Sequence, residues 1–241
     1  MSATAPRLHL VQLAGGKGLR AGGEVPKQFR RTARGPLLGV SLQEFLKLPA
    51  ETAEITSITI TAVAARSEIL AEVFENLPDT GFRTSRAEPG RTRTESTWHA
   101  LRRIATEQDP RPEDLVAVHD AARPFASTDL LTSLVAAALD HGAAVPGISV
   151  PDTILQQDPG TSTARYLPRQ TLVAVQTPQV FRWELLHTAH AWAAQEGVSF
   201  TDDGGLVAHR GCDPAVVPGE DGNFKVTTDG DWHRAGDLLS L

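Results

Sequence analysis

The chain's 241 residues can bury one sizeable core, and a composition 41% hydrophobic and 22% charged excludes disordered and low-complexity classes. A formal net charge of -6 excludes a nucleic-acid-coating or membrane-surface protein, since both need a basic face to displace counterions, so any anion is bound locally. One cysteine, Cys212, excludes an intramolecular disulfide; no stretch could span a bilayer, and MSATAPR lacks a signal peptide's apolar core, so a cytoplasmic location is expected.

The first apolar run, 8–14 (LHLVQLA), reads as a buried strand and leads into LAGGKGLRAGGEVPKQF at 13–29. There, glycines permit a row of backbone N–H groups, while Arg20 and Lys27 add charged donors flanking a possible triphosphate. Arg offers a planar fork for two phosphate oxygens and Lys a mobile point charge, a combination suited to a nucleotide triphosphate. The alternative is a set of solvated loop charges on glycines that merely turn the chain. No Gly-Lys-Ser or Gly-Lys-Thr follows, so the segment is not an ATP-type phosphate loop. Gly16, Gly18 and Ala21 have dinucleotide-fingerprint spacing, yet the strand at 55–64 runs out into Ala64, Ala65 and Arg66 where a ribose-binding acid should stand.

Helical periodicity follows at 37–48, 67–77, 93–105 and 128–142, and strand-like runs at 55–64, 114–120 and 143–150. This alternation predicts one α/β domain over 1–241, a mostly parallel sheet covered on both faces, with ligands at the strands' carboxyl ends. Before the helix at 93–105, Gly90 in EPGR is expected to make a tight turn, with Thr94 or Ser96 near the helix's amino end. The strand at 114–120 breaks at Asp120, a carboxylate well placed for a ribose, a metal or a substrate hydroxyl, and Pro124 holds Arg123 in a turn. His119 reads as a satisfied core histidine. From 151 to 178 the rhythm changes to strand-like pieces and turn signals, a β-hairpin arm too small to be stable without a partner. A helix is expected at 181–197, then a helix start capped by Thr201 and Asp202, a short strand at 215–219, and Lys225 at the end of a late strand.

The glycine segment with its Pro26-Lys27-Gln28 ending resembles the signature of nucleotidyltransferases that activate sugar or polyol phosphates. It is similar above all to the 2-C-methyl-D-erythritol 4-phosphate cytidylyltransferases. Further ordered motifs carry the likeness from residue 8 to about 232: Gly90, Arg93, Glu95 and Ser96; VHDAARP at 118–124; Asp152-Thr153; TPQVF at 177–181; TDD at 201–203; NFKVT at 223–227. The resemblance implies a three-layer, Rossmann-like nucleotidyltransferase sheet with 151–178 as a protruding β-arm. The implied reaction transfers CMP from CTP to a polyol phosphate, giving a CDP-alcohol and pyrophosphate, for non-mevalonate isoprenoid precursor synthesis. Mg2+ would be held mainly by the CTP phosphates, with no protein metal site.

The resemblance also implies roles. Arg20 and Lys27 stabilise the transition state at the α-phosphate; Ala14, Gly15, Gly16, Gly18, Gly90 and Ser96 take the nucleotide. Asp120 and Ala121 lie by the ribose and the polyol, and Arg123 approaches the substrate phosphate. Thr153 and Arg169, with Asp152, grip that phosphate from a neighbouring subunit's arm, Lys225 orients it, and a homodimer with shared sites follows. The residues alone leave open a helix-start hydrogen bond for Ser96, a surface charge for Lys225 and an interface salt bridge for Arg169. Leu13, Arg91 and the pair Gly204-Gly205 depart from the family's usual residues. Ribitol 5-phosphate cytidylyltransferases share the same motifs, so methylerythritol phosphate is the preferred substrate and ribitol phosphate the alternative. A non-catalytic nucleotide-binding protein of this fold is the second class.

Overall fold

The computed structural model describes residues 5–16, 25–78 and 81–239. In chain order these form β1 (Arg7–Leu13), β2 (Arg31–Thr32), β3 (Gly35–Pro36), α1 (Leu37–Phe45), β4 (Glu54–Thr61), α2 (Ser67–Glu75), β5 (Arg83–Ala87), α3 (Arg93–Gln108) and β6 (Leu115–Asp120). There follow α4 (Thr128–His141), β7 (Ala143–Ser149), β8 (Ile154–Gln156), β9 (Arg165–Leu167), β10 (Val173–Val175), β11 (Gln179–Arg182), α5 (Trp183–Glu196), α6 (Asp203–His209), β12 (Ala215–Pro218) and α7 (Asp229–Leu239).

The main sheet has the order β10-β7-β11-β6-β1-β4-β5, with β12 also paired to β7. Strands β5, β4, β1 and β6 run parallel, β12 is parallel to β7, and β10 and β11 are antiparallel to their neighbours. A mostly parallel sheet has both faces covered, which is why β1 and β6 are nearly continuously apolar and buried. Leu8 and Leu10 of β1 point into a core shared with Leu38, Phe45, Leu70 and Leu134 of α1, α2 and α4. Val11 faces the opposite core, with Leu101, Ile104, Leu186 and Leu206 of α3, α5 and α6. The period-2 alternation of one central strand thus separates two helical layers and yields the expected three-layer α/β architecture.

Three expectations shift. Strands β8 and β9 pair as an antiparallel hairpin, but β10, the end of the expected arm, belongs to the main sheet against β7. The helix expected from 181 starts at Trp183, because Gln179–Arg182 is sandwiched as β11 between β6 and β7. Lys225 lies in an extended loop with no strand around it; Val226 N–H donates to the Ala122 carbonyl at 2.8 Å and ties that loop to the end of β6. Beyond it, α7 packs Ala235 and Leu239 on Leu37, Val40 and Val226. Among the described residues no helix is long and apolar enough to cross a membrane.

Candidate active site

Parallel strands β1 and β6 end side by side, with Leu13 in register with Asp120. Past these carboxyl ends opens a cavity of about 790 Å³, lined among others by Gly15, Gly16, Gln28, Gly90, Arg93, Ser96, Asp120 and Lys225. This is where an open α/β sheet holds its ligand.

Close approach, rather than an unusual backbone angle, explains the wall glycines. A Cβ on Gly15 would sit 2.4 Å from Pro89 Cβ. One on Gly90 would lie 2.4 Å from Glu95 Cβ and 2.7 Å from the Glu95 backbone carbon, and Gly90 is not in the left-handed region. Glycine is thus required because the 88–91 turn lies directly on the first turn of α3. Gly90→Ala is expected to destabilise the fold by about 1–3 kcal/mol, the usual cost of overpacking; denaturant unfolding measures it, and unchanged stability would refute so tight a contact.

The cap of α3 is Thr92, whose hydroxyl accepts from Glu95 N–H at 3.1 Å. Thr94 instead bonds Phe200, donating to its carbonyl and accepting from its N–H. Ser96 accepts from Gly90 N–H and donates to the Thr92 carbonyl, each at 2.9 Å, so the helix-start hydrogen bond is made and it is this bond that shapes the cavity wall. Also in the lining, Gln28 Nε2 donates to the carbonyls of Ala14 at 2.8 Å and Gly16 at 2.7 Å, pinning the chain where it leaves β1.

In the same lining, Asp120 Oδ2 accepts from Lys225 Nζ at 2.6 Å and Oδ1 from Arg93 Nε at 3.3 Å. Burial alone would raise the Asp120 carboxyl's pKa, but the Arg93 and Lys225 charges outweigh it and bring it down to about 2. Arg93 extends its fork further, Nη1 donating to Asp203 Oδ2 at 2.5 Å, and Asp203 Oδ1 accepts from His190 Nε2 at 2.9 Å. Asp203 is fully buried; desolvation pushes its carboxyl up, and Arg93 with His190 holds it well below the usual carboxylate range. The two acids of TDD therefore divide their labour. Asp202 caps α6, accepting from Gly205 N–H, as expected, whereas Asp203 turns inward to Arg93.

His119 is a satisfied core residue: Nε2 donates to the Arg123 carbonyl at 2.8 Å and Nδ1 accepts from the Thr177 hydroxyl at 3.1 Å. Burial lowers its pKa to about 4, so it is neutral near pH 7. The Thr177 hydroxyl also accepts from Asp120 N–H at 3.0 Å.

The cavity thus gathers Gly15, Gly16, Gly90, Ser96, Asp120 and Lys225. Ala14 and Ala121 are buried at the strand ends, where Ala121 N–H donates to the Leu13 carbonyl. Lys27, 4% exposed, sits in the one-turn helix Lys27–Phe29 beside Gln28. Arg123 does not line the cavity; its Nη1 donates to the Asn223 carbonyl at 2.7 Å and anchors the loop that carries Lys225. Thr153 and Arg169 are exposed and do not line the cavity of their own chain, with Arg169 bonded to the Pro151 carbonyl. Lys17, Gly18, Arg20 and Ala21 lie outside the described residues. Sequence reasoning missed the partnership of Arg93, Asp203 and His190, which spans up to 110 positions and leaves no local signal.

The family model described as IspD: 2-C-methyl-D-erythritol 4-phosphate cytidylyltransferase matches residues 8–240. A bifunctional enzyme IspD/IspF of Rhodopseudomonas palustris (strain BisA53) is 36% identical over 99% of this chain and 57% of its own length. The 2-C-methyl-D-erythritol 4-phosphate cytidylyltransferase of Salinibacter ruber is 38% identical over 94% of this chain and 90% of its own. The chain therefore spans little more than half of the bifunctional relatives it matches. Among solved structures, the 2-C-methyl-D-erythritol 4-phosphate cytidylyltransferase of Thermus thermophilus aligns with TM-score 0.69 and 32% identity, covering 99% of this chain and 100% of that one. The 4-diphosphocytidyl-2C-methyl-D-erythritol synthase of Anaerococcus prevotii shares the fold, with TM-score 0.78 at 24% identity over 98% of this chain and 97% of its own.

Proposed function

The chain belongs to the 2-C-methyl-D-erythritol 4-phosphate cytidylyltransferase family, and from that premise we propose that it transfers CMP from CTP to 2-C-methyl-D-erythritol 4-phosphate. The observation that carries this reading is the cavity at the carboxyl ends of β1 and β6, whose lining combines glycine backbone with the Asp120–Lys225 pair. Such a cleft can accept two polyanions.

A phosphate oxygen of the polyol phosphate attacks the α-phosphorus of CTP, the bond to the β-phosphate oxygen breaks, and pyrophosphate leaves. The nucleophile is already an anion near neutral pH, so the protein need only align the two substrates and stabilise charge on the α-phosphoryl oxygens. Arg20 and Lys27 take that task. The strand-end residues Ala14, Gly15 and Gly16, together with Gly18, Gly90 and Ser96, receive the nucleotide. Of these, Ala14 and Gly16 are held beforehand by Gln28, and Gly90 by the Ser96 hydroxyl. Asp120 and Ala121 serve the ribose and the polyol, and Lys225 orients the attacking phosphate. Arg123 supports Lys225 through the Asn223 carbonyl, a more indirect part than approach to the phosphate itself.

Thr153 and Arg169 stand exposed on a hairpin-bearing segment and do not line the cavity of their own chain, which favours their use in a second subunit's site in a homodimer. The described residues hold no group of three or more metal-ligating acids, histidines or cysteines, and both Asp120 oxygens are bonded to cations. This donor set fits a Mg2+ that arrives on the CTP phosphates, where it would neutralise charge on the leaving pyrophosphate.

Pyrophosphate release with CTP and Mg2+ tests the reading. Release with methylerythritol phosphate in clear preference to ribitol 5-phosphate is expected. A preference for ribitol 5-phosphate would overturn the choice of substrate, and silence with every polyol phosphate would leave a non-catalytic nucleotide-binding protein.

A further inference from the structure

From the cavity wall the charged groups continue inward in a single file. From Lys225 the order is Asp120, Arg93, Asp203 and His190, linked at 2.6, 3.3, 2.5 and 2.9 Å. The first three members, Lys225, Asp120 and Arg93, line the cavity, whereas Asp203 and His190 do not, and each of these two is about 1% exposed. They come from separate elements: Arg93 opens α3, Asp203 opens α6, and His190 lies in the middle of α5.

A guanidinium fork stretched between two carboxylates has its plane set by both of them. Asp120 is anchored at the end of β6, where its N–H donates to Thr177. Asp203 is anchored at the first residue of α6, and of its two oxygens one meets Arg93 and the other meets His190. Removing two carboxylates and a guanidinium from water is costly, and hydrophobic side chains of similar volume would fill the space at least as favourably. What this arrangement supplies and an apolar filling would not is a fixed direction for Arg93, and hence for the carboxylate that holds the cavity's lysine.

We propose that His190 and Asp203 are positioning residues for the transfer reaction: by clamping Arg93 from the interior they set Asp120, and through it the Lys225 ammonium, at the wall where the substrate phosphate is received. Its kinetic consequence rests on the function proposed above; the restraint on Lys225 rests on the geometry alone.

The experiment compares the full chain with His190→Asn, His190→Gln and Asp203→Asn. In glutamine the amide nitrogen reaches the level of Nε2 and can still donate to Asp203; in asparagine it stops at the level of Nδ1 and cannot. His190→Asn and Asp203→Asn are expected to lower kcat by about tenfold and raise KM for the polyol phosphate severalfold, as a small misplacement of a positioning group does. CTP affinity by calorimetry should fall no more than severalfold, since Asp120 also serves the ribose, and His190→Gln should recover most of the native rate. Independently of catalysis, limited acetylation followed by mass spectrometry should label Lys225 at least about threefold faster in the two asparagine variants, because an ammonium held at a fixed carboxylate is less available. Exposed Lys47 serves as the internal reference.

Native kcat, KM and Lys225 labelling in both asparagine variants, even with a lowered melting temperature, would reduce the pair to packing and overturn the proposal. If the native chain releases no pyrophosphate with any polyol phosphate, the proposed function fails and the labelling alone decides the positioning. If an asparagine variant does not fold, the other one and His190→Gln carry the comparison.

Discussion

Lys27→Ala is expected to lower kcat by about 100- to 1000-fold while CTP affinity changes only a few-fold, the signature of a donor whose interaction strengthens in the transition state. The side chain projects from a one-turn helix closed by Phe29 N–H to the Pro26 carbonyl and Arg30 N–H to the Lys27 carbonyl, each at 2.9 Å. Pro26 pre-sets the backbone at its start and Phe29 is buried at its end, so the backbone that carries the Lys27 side chain is held before substrate arrives. Neighbouring Gln28 ties the same turn to the carbonyls of Ala14 and Gly16 at the cavity. A donor in so rigid a frame needs little reorganisation at the moment charge develops, which is where electrostatic catalysis gains most. Steady-state kinetics with CTP and the polyol phosphate, together with calorimetric CTP binding, separate the two effects. A loss confined to CTP affinity with unchanged kcat would show that Lys27 serves binding alone.

Much of the fold could be read directly because the physics behind it is local. Continuous apolar runs at 8–14 and 114–120 announced strands buried on both faces, and these proved to be the two that end at the cavity. Asp202 was recognisable as a cap from its place before a helix. The segment 173–182 was less legible, since two short strands in antiparallel positions of a mixed sheet leave no periodicity, and their pairing with β7 is a tertiary choice. The start of α7 did carry a signal: Asp231 accepts from the N–H groups of Thr227 and Thr228 while its own N–H donates to the Thr228 hydroxyl. That threonine and acid three apart form a reciprocal cap, which the strand-like look of NFKVT obscured.

At the site, the residue types pointed to anion binding, but their partners could not be deduced. Gly90 was expected for its turn and is needed for its contact with Glu95. Arg93 stood within a motif, yet nothing adjacent to it announces that both of its acids lie in other elements, 27 and 110 positions away. His190 looks like any residue on the buried face of a helix. Proximity of this kind is created by the sheet order and has no counterpart in local sequence.

Arg93→Leu should expose how much of the fold depends on that proximity. Leucine fills much of the volume but leaves Asp203 with His190 alone and Asp120 with Lys225 alone, so stability at pH 7 is expected to fall by about 3–5 kcal/mol, the cost of breaking a buried ion pair by removing one partner. The pH dependence should identify the cause. In the native chain both carboxyls are held below their unfolded values, Asp120 at about 2, so they contribute stability above the unfolded carboxylate range that is lost as pH falls through the folded values. Without the guanidinium, burial is opposed less and the folded Asp203 carboxyl moves upward, so its protonation on acidification relieves an unpaired buried charge. The deficit of the variant relative to the native chain should therefore be greatest near pH 7 and shrink as pH falls toward 4. Urea unfolding of both proteins across that range measures it. A deficit independent of pH would mean that Arg93 contributes packing through its stem rather than charge to the two acids.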